Sequence, residues 1–342
     1  MVSTVLVMFL LSQKYVYYTK HEEDTIPPSR YMYTPLPNTT WIHFNDTDFR
    51  YPIDTNMTEL AYRILRNETT DISIINPHPF RYIHNPESLC SSKRTNSHLP
   101  LLILIKSSVP HFDLRNAIRR TWGRKLKKSP KYEMAFLLGY LNHHQHLIDN
   151  EHYKNGDIIQ EDFIDAYWNN TYKTIMAYNW AVEYCSIAHT VLFLDDDMFI
   201  NPYNLDIYVS EIERKEEEDV YSGVLLEILT PIRDIKSKWA VQYQEYPYDS
   251  YPRYLAGSVM FVSMSIVQIF KTIFPYVKYL KLDDVYLGIV AHKLNIQPKE
   301  TPHLDNANLR NFTNLSILIA NHGFKDSNLY IKTYFELFDH NA

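Results

Sequence analysis

The hydrophobic pattern of the chain changes character at Leu99. From Leu99 to Ile105 every residue is apolar, Pro100 included, and the run closes on Lys106, Ser107 and Ser108, which predicts a buried strand. Between Asp113 and Gly123 the period becomes helical. Leu114, Ile118 and Trp122 share one face at i, i+4 spacing, Arg115 and Arg119 share another, and an acidic start and a glycine stop frame the segment. Met134 to Leu138 reads as a second strand. From about Ile164 to Tyr184 a stripe of Trp168, Tyr172, Met176 and Trp180 predicts a long helix. An apolar strand from His189 to Leu194 then runs straight into Asp195, Asp196 and Asp197. Further strands are expected at Tyr221–Leu229 and Ala256–Val262, and a helix from Val285 to Leu294 behind Asp283 and Asp284. Strands alternating with helices predict an α/β domain with a central mixed sheet, and no internal repeat interrupts it.

Upstream the pattern is absent. Residues 19–97 hold eight of the chain's 18 prolines, no glycine, and Asn-X-Ser/Thr sequons at Asn38, Asn45, Asn56 and Asn67. Such a stretch is expected to be an extended, glycosylated stem. Three more sequons lie at Asn169, Asn311 and Asn314. Met1 to Leu11 is largely apolar, although a membrane span needs about 20 residues. The expected layout is a short apolar anchor at 1–18, a stem at 19–97 and a globular domain at 98–342, as in a single-pass membrane protein with its domain in the lumen.

Composition narrows the chemistry. A 342-residue chain with 45% hydrophobic and 22% charged residues can build a sizeable core. Its net charge of −6 argues against a nucleic-acid binder, which would show a basic face. Only 7 glycines occur, the first at Gly123, so no glycine-rich phosphate cradle exists. A nucleotide bound here would have its phosphates neutralised by side chains or by a metal. The two cysteines, Cys90 and Cys185, exclude a zinc cluster and leave one bridge or two buried thiols.

Three carboxylates at the carboxyl end of an apolar strand repel one another. Asp195 and Asp197 project to one side if strand geometry persists, and converging oxygens suit Mg²⁺ or Mn²⁺; the alternative is a solvated acidic turn. Of Asp283 and Asp284, one is a candidate general base whose pKa its neighbour raises, or the pair is an ordinary helix cap. Arg115 and Arg119 could fork onto a phosphate or carboxylate, or simply be solvated. Lys173 lies off the apolar stripe and could reach an anion. His322, between an apolar run and Gly323, could complete a carboxylate metal site.

Taken in order, these elements resemble the β-1,3-galactosyltransferase family, which includes the β-1,3-N-acetylglucosaminyl- and N-acetylgalactosaminyltransferases. The likeness spans roughly residues 75–340. It rests on Arg115, Ile118, Arg119, Thr121 and Trp122; on Asp157 and Ile158 followed by Asp162, Phe163, Asp165, Tyr167, Asn169, Thr171 and Lys173; on Asp195 to Asp197; on Lys238 and Trp239 ahead of Tyr251, Pro252, Tyr254 and Gly257; on Asp283, Asp284, Val285 and Gly288; and on His322. Departures include Asp283 for the family's glutamate, Asn170 for a leucine, Leu255 for a cysteine and Val259 for a glycine.

The resemblance implies a GT-A type fold and an inverting, metal-dependent transfer from a UDP-sugar to the 3-hydroxyl of an oligosaccharide on a glycoprotein or glycolipid, at the Golgi membrane. It implies Mn²⁺, or another divalent metal, on Asp197, His322 and Asp195. Donor contacts are expected from Arg115, Arg119, Asp162, Lys173, Asp195 and Asp196, and Asp284 is expected to be the base. It also suggests a Cys90–Cys185 bridge. Two other readings compete: a phosphatase of the haloacid-dehalogenase type, which leaves the Arg-Trp and Asp-Phe elements unexplained, and a non-catalytic lumenal glycan-binding or chaperone-like relative of the same fold, which would not need Asp197, Asp284 and His322.

Overall fold

The computed structural model describes residues 42, 44–45, 49–91, 99–215, 219–226, 229–306 and 312–338. These described residues belong to one compact unit. In chain order its elements are α1 (Met57–Leu65), β1 (Tyr82–His84), β2 (Leu99–Lys106), α2 (Phe112–Arg120), α3 (Trp122–Leu126), β3 (Tyr132–Tyr140), α4 (Gln145–Asn155) and β4 (Ile158–Ile164). Next come α5 (Asn170–Tyr184), β5 (Ala188–Asp195), β6 (Phe199–Ile200), α6 (Pro202–Arg214), β7 (Tyr221–Leu225), β8 (Leu255–Ser263), α7 (Met264–Ile273) and α8 (Asp283–Lys293). The chain closes with β9 (Lys299–Glu300), β10 (Leu304–Asp305), α9 (Phe312–Ile317), β11 (Ala320–Asn321) and α10 (Ser327–Phe338).

Eight strands form a mixed sheet in the order β1-β4-β3-β2-β5-β8-β7-β9. The middle of the sheet is parallel, from β4 through β3 and β2 to β5, and β8 then runs antiparallel to β5. A small sheet, β10-β11-β6, stands beside it. The apolar run of β2 lacks alternation because both its faces are covered. Leu102 and Leu104 enter a core with Met176, Tyr178 and Phe193, while Leu101, Ile103 and Ile105 enter one with Ile118, Trp122 and Leu194. Each fully buried aliphatic side chain there contributes about 1.5–3 kcal/mol relative to exposure.

Several expectations shift. The long helix begins at Asn170, because Ile158–Ile164 is strand β4; Trp168 precedes the helix and the stripe holds from Tyr172. Helices α4, α6, α7 and α10 had no counterpart in the periodicity. In α4 only Ile148 is buried, so the helix shows almost no apolar face, while α7 continues the apolar run of β8 without a break.

The stem expectation needs correction within residues 49–91, which fold onto the domain. Met57, Leu60 and Ala61 of α1 are buried, and Phe49 and Tyr51 pack on Tyr246 and Tyr248. Strand β1 joins the sheet edge, and Cys90 is bonded to Cys185 across a Cα–Cα distance of 5.4 Å. Apolar side chains carry this segment into the core, so the folded domain starts well before residue 98. Asn56 caps α1 by accepting from the Glu59 N–H. The anchor at 1–18 and the sequons at Asn38 and Asn311 lie outside the described residues. Among the described residues, no helix is long and apolar enough to cross a membrane.

Candidate active site

Parallel strands β2 and β5 end side by side, Lys106 opposite Asp195, so the acidic turn opens at the carboxyl edge of the sheet. Ligands of open α/β sheets bind at this edge. Asp195, Asp197 and His322 converge there, with ligand atoms within 4.8 Å of one another and His322 Nε2 3.3 Å from Asp197 Oδ1. The turn after β11 makes this possible. The N–H groups of Gly323 and Phe324 bond the Asp197 carbonyl, and Gly323 adopts a φ of 99°, a left-handed conformation that favours glycine. Two carboxylates and an imidazole form a donor set that fits a divalent cation.

Charge at this cluster is distributed unevenly. Burial works to raise Asp197, but the hydrogen bond and charge of His322, with Lys325, hold its carboxyl below the usual range. Burial opposes a proton on His322, yet Asp197 and Asp195 raise its pKa. Asp195 keeps 35% of its side chain accessible. Its surroundings are nonetheless enclosed: burial pushes it up to about 6 against the pull of Lys106, with Asp197 and Asp283 adding to the rise.

The second acidic pair opens α8. Asp283 is buried, and its Oδ2 accepts from Lys106 Nζ at 2.7 Å and from the Thr174 hydroxyl at 3.0 Å. Among the described residues, Asp284 accepts a hydrogen bond only from the N–H of Val285, at 2.8 Å. Burial, reinforced by the charge of Asp283, pushes its carboxyl up to about 7. Tyr167 stands close to this group: burial raises its hydroxyl pKa, and Asp284, Asp283 and Asp195 add to the rise. The Lys238 ammonium lies 4.9 Å from the Tyr167 ring centre and 4.8 Å from that of Trp239. Partial burial and Lys325 lower its pKa, against the pull of Asp197 and Asp195. Beside the cluster a cleft of about 560 Å³ is lined by His111, Asp196, Asp197, Lys325 and Ser327, among others.

Four residues expected as donor contacts, Arg115, Arg119, Lys173 and Asp162, do not line this cleft and engage other groups of the protein. Arg115 is fully buried; its guanidinium donates to Glu151, to the Ser107 hydroxyl and to the carbonyls of Ser108 and Val109. Arg119 forks onto Asp157 and also donates to Glu151 at 2.5 Å. Lys173, 3% exposed, donates to the Ser107 carbonyl at 2.6 Å and to both oxygens of Asp165. Asp162 is exposed on β4, with β3 and β2 between it and β5, and its carboxylate accepts from the Arg81 N–H. These cations satisfy carboxylates and carbonyls; Arg115 and Lys173 also hold the loop after β2, and none of the three lines the cleft. Asp196 does line the cleft, while its Oδ2 accepts from the Ser107 hydroxyl at 2.6 Å and contacts His111 Nδ1 at 2.8 Å.

Sequence reasoning missed Lys106, His111 and Lys325 as members of the site. Lys106 did carry a signal, since it is the one charge closing an otherwise apolar strand. Lys325 carried none, because only the turn at Gly323 brings it to Asp197.

The galactosyltransferase family model matches residues 113–302. A mouse relative, beta-1,3-galactosyltransferase 1, is 35% identical over 231 residues, covering 66% of this chain and 68% of its own. A human relative, lactosylceramide 1,3-N-acetyl-beta-D-glucosaminyltransferase, is 29% identical over 281 residues, 79% of this chain and 71% of its own. A solved structure, the galactosyltransferase LgtC with donor and acceptor sugar analogs, shares 11% identity over 69% of this chain and 96% of its own, at a TM-score of 0.37. The family match and the relatives' names make this chain one of the glycosyltransferases, and its sheet is mixed and flanked by helices. Within that class, the chain belongs to the galactosyltransferase family.

Proposed function

We propose that the protein transfers a hexose, galactose or an N-acetylhexosamine, from a UDP-sugar to the 3-hydroxyl of an acceptor glycan, inverting the anomeric carbon and requiring a divalent cation such as Mn²⁺. The observation that carries this reading is the convergence of Asp195, Asp197 and His322 beside a base-competent Asp284. The names of the relatives support β-1,3 transfer, and lactosylceramide in one of them supports a glycolipid acceptor.

Asp197, His322 and Asp195 would hold the cation, which when bound supplies Lewis-acid charge to the departing diphosphate. Lys238 and Lys325, within electrostatic reach of Asp197, would add positive charge on that side, the part first expected of Arg115, Arg119 and Lys173. Asp284 would take the proton of the acceptor 3-hydroxyl as its oxygen attacks. The new bond from the anomeric carbon to the acceptor oxygen forms opposite the breaking carbon–oxygen bond to the diphosphate, and UDP departs with that electron pair. Asp283 is already engaged by Lys106 and Thr174, which leaves Asp284 for this role.

The reading places the domain in the Golgi lumen on a type II anchor. The Cys90–Cys185 disulfide supports an oxidising compartment. The test is UDP release with Mn²⁺ or EDTA, for each UDP-sugar and a panel of β-linked acceptors, on a chain beginning ahead of residue 42. Cation-dependent turnover that disappears in Asp197→Ala and in Asp284→Asn is expected. A folded domain that binds no UDP-sugar would overturn the reading.

A further inference from the structure

Lys106 is a buried cation that the reaction as written does not use. Its side chain is 8% exposed; its ammonium donates to the Gly257 carbonyl of β8 at 2.9 Å and to Asp283 Oδ2 of α8 at 2.7 Å, and it pairs with Asp195 Oδ1 of β5 at 3.2 Å. One ammonium thus joins the strand end that carries the cation ligands to the helix start that carries the base. Gly257 lies at the junction: a Cβ built there would stand 3.5 Å from Lys106 Nζ and 3.4 Å from Asp284 Cβ. Close packing at this point keeps Lys106 and the base within one small volume.

We propose that Lys106 is a positioning residue that sets the separation between the cation half of the site, at Asp195, and the base half, at Asp283 and Asp284. The proposal rests on the assignment of Asp195, Asp197 and His322 to the cation and of Asp284 to the acceptor proton. Lys106 holds Asp283 in place, so that the next residue along α8 presents its carboxylate at a fixed distance from the donor's anomeric carbon. A displacement of about 1 Å between reacting groups costs on the order of a hundredfold in rate, so a tether at this junction governs kcat more than binding.

Lys106→Met alone would leave buried Asp283 and half-buried Asp195 without their counter-ion and can fail to fold for that reason. The informative variant is Lys106→Met with Asp283→Asn, which removes one charge of each sign. It is compared with Asp283→Asn, which keeps an oxygen acceptor for Lys106, and with Lys106→Arg, which keeps the charge, changes its reach and serves if the double variant does not fold. Melting temperature, Mn²⁺ binding followed by electron paramagnetic resonance, donor KM and kcat are measured for each.

The expected result is a folded double variant that binds Mn²⁺ and donor within about threefold of the parent while its kcat falls about a hundredfold. Asp283→Asn is expected to lose less than about tenfold, and Lys106→Arg to lose kcat by more than about tenfold with Mn²⁺ binding kept. A double variant as fast as Asp283→Asn would show that Lys106 only neutralises a buried charge. Loss of Mn²⁺ binding in step with kcat would make Lys106 a support of the cation half alone; either result overturns the joining role. A parent protein that binds neither Mn²⁺ nor a UDP-sugar defeats the underlying assignment instead, so the two failures are distinct.

Discussion

At Asp284, burial and the adjacent Asp283 lift the carboxyl to about 7, near the pH at which a base both accepts a proton readily and is present in its ionised form. Only the ionised form can take the acceptor proton. Activity at limiting substrate should therefore rise with pH through the region near 7 and level off above it. Asp284→Asn should lower kcat by about 10²–10⁴-fold and abolish that limb. A pH–rate profile already flat between 5 and 8 in the parent protein would remove Asp284 from the role. His322→Ala tests the opposite side of the site. It should raise the Mn²⁺ concentration needed for half-maximal activity by tenfold or more, on the order of what ligand-shell changes cost in metal affinity, and leave the melting temperature nearly unchanged. Asp197, Asp195 and Asp284 were legible because acidic groups at a strand end and at a helix start leave a local mark in the sequence. Lys106 was not read, because nothing in the chain says that three elements meet at its tip.

Helix α2 shows how a local pattern misleads about purpose. Its Arg115 and Arg119 recur one turn apart, which reads equally well as a phosphate fork or as structure. The decision came from α4, which places Glu151 between them, and from Asp157 just after α4. Burial works to raise the Glu151 pKa, but the hydrogen bond and charge of Arg115, with Arg119, hold it below its ordinary 4.5. A depressed carboxylate pKa contributes stability above that ordinary value, and the contribution is lost as pH falls through the folded-state value. Glu151→Gln should cost about 3–5 kcal/mol at neutral pH, since it leaves buried Arg115 under-compensated, and the deficit should shrink in acid. Donor KM should stay within about twofold in the folded fraction, because these groups serve the fold. A raised donor KM with an unchanged melting temperature would return the arginines to the binding site. Helix α4 itself was illegible: a helix that buries only Ile148 has almost no period to read.

Across the whole molecule, residues 49–91 act as a strap on the domain, closed by the Cys90–Cys185 bond across 95 residues of chain. Cys185→Ser, measured by thermal or denaturant unfolding, should cost about 2–5 kcal/mol, the usual loss when a native disulfide is removed. A chain begun at residue 98 should fail to fold stably, since it lacks β1, α1 and Cys90; one begun ahead of residue 42 should fold. If the shorter chain melts at the same temperature, the strap is dispensable. The sequence by itself determined what is local. Apolar runs marked β2, β5 and β8, the i+4 stripe marked α5, and acidic residues beside apolar elements marked the candidate site at the carboxyl edge of the sheet. The tertiary structure alone decided what depends on partners far apart in the chain. It decided that Arg115, Arg119 and Lys173 are spent on Glu151, Asp157 and Asp165, that Asp162 stands on the far side of β3 and β2, and that Lys106 binds β5, β8 and α8 together. The physical reason is that a charged side chain takes its meaning from the counter-charge and the solvent it meets, and the sheet order, not the spacing along the chain, sets both.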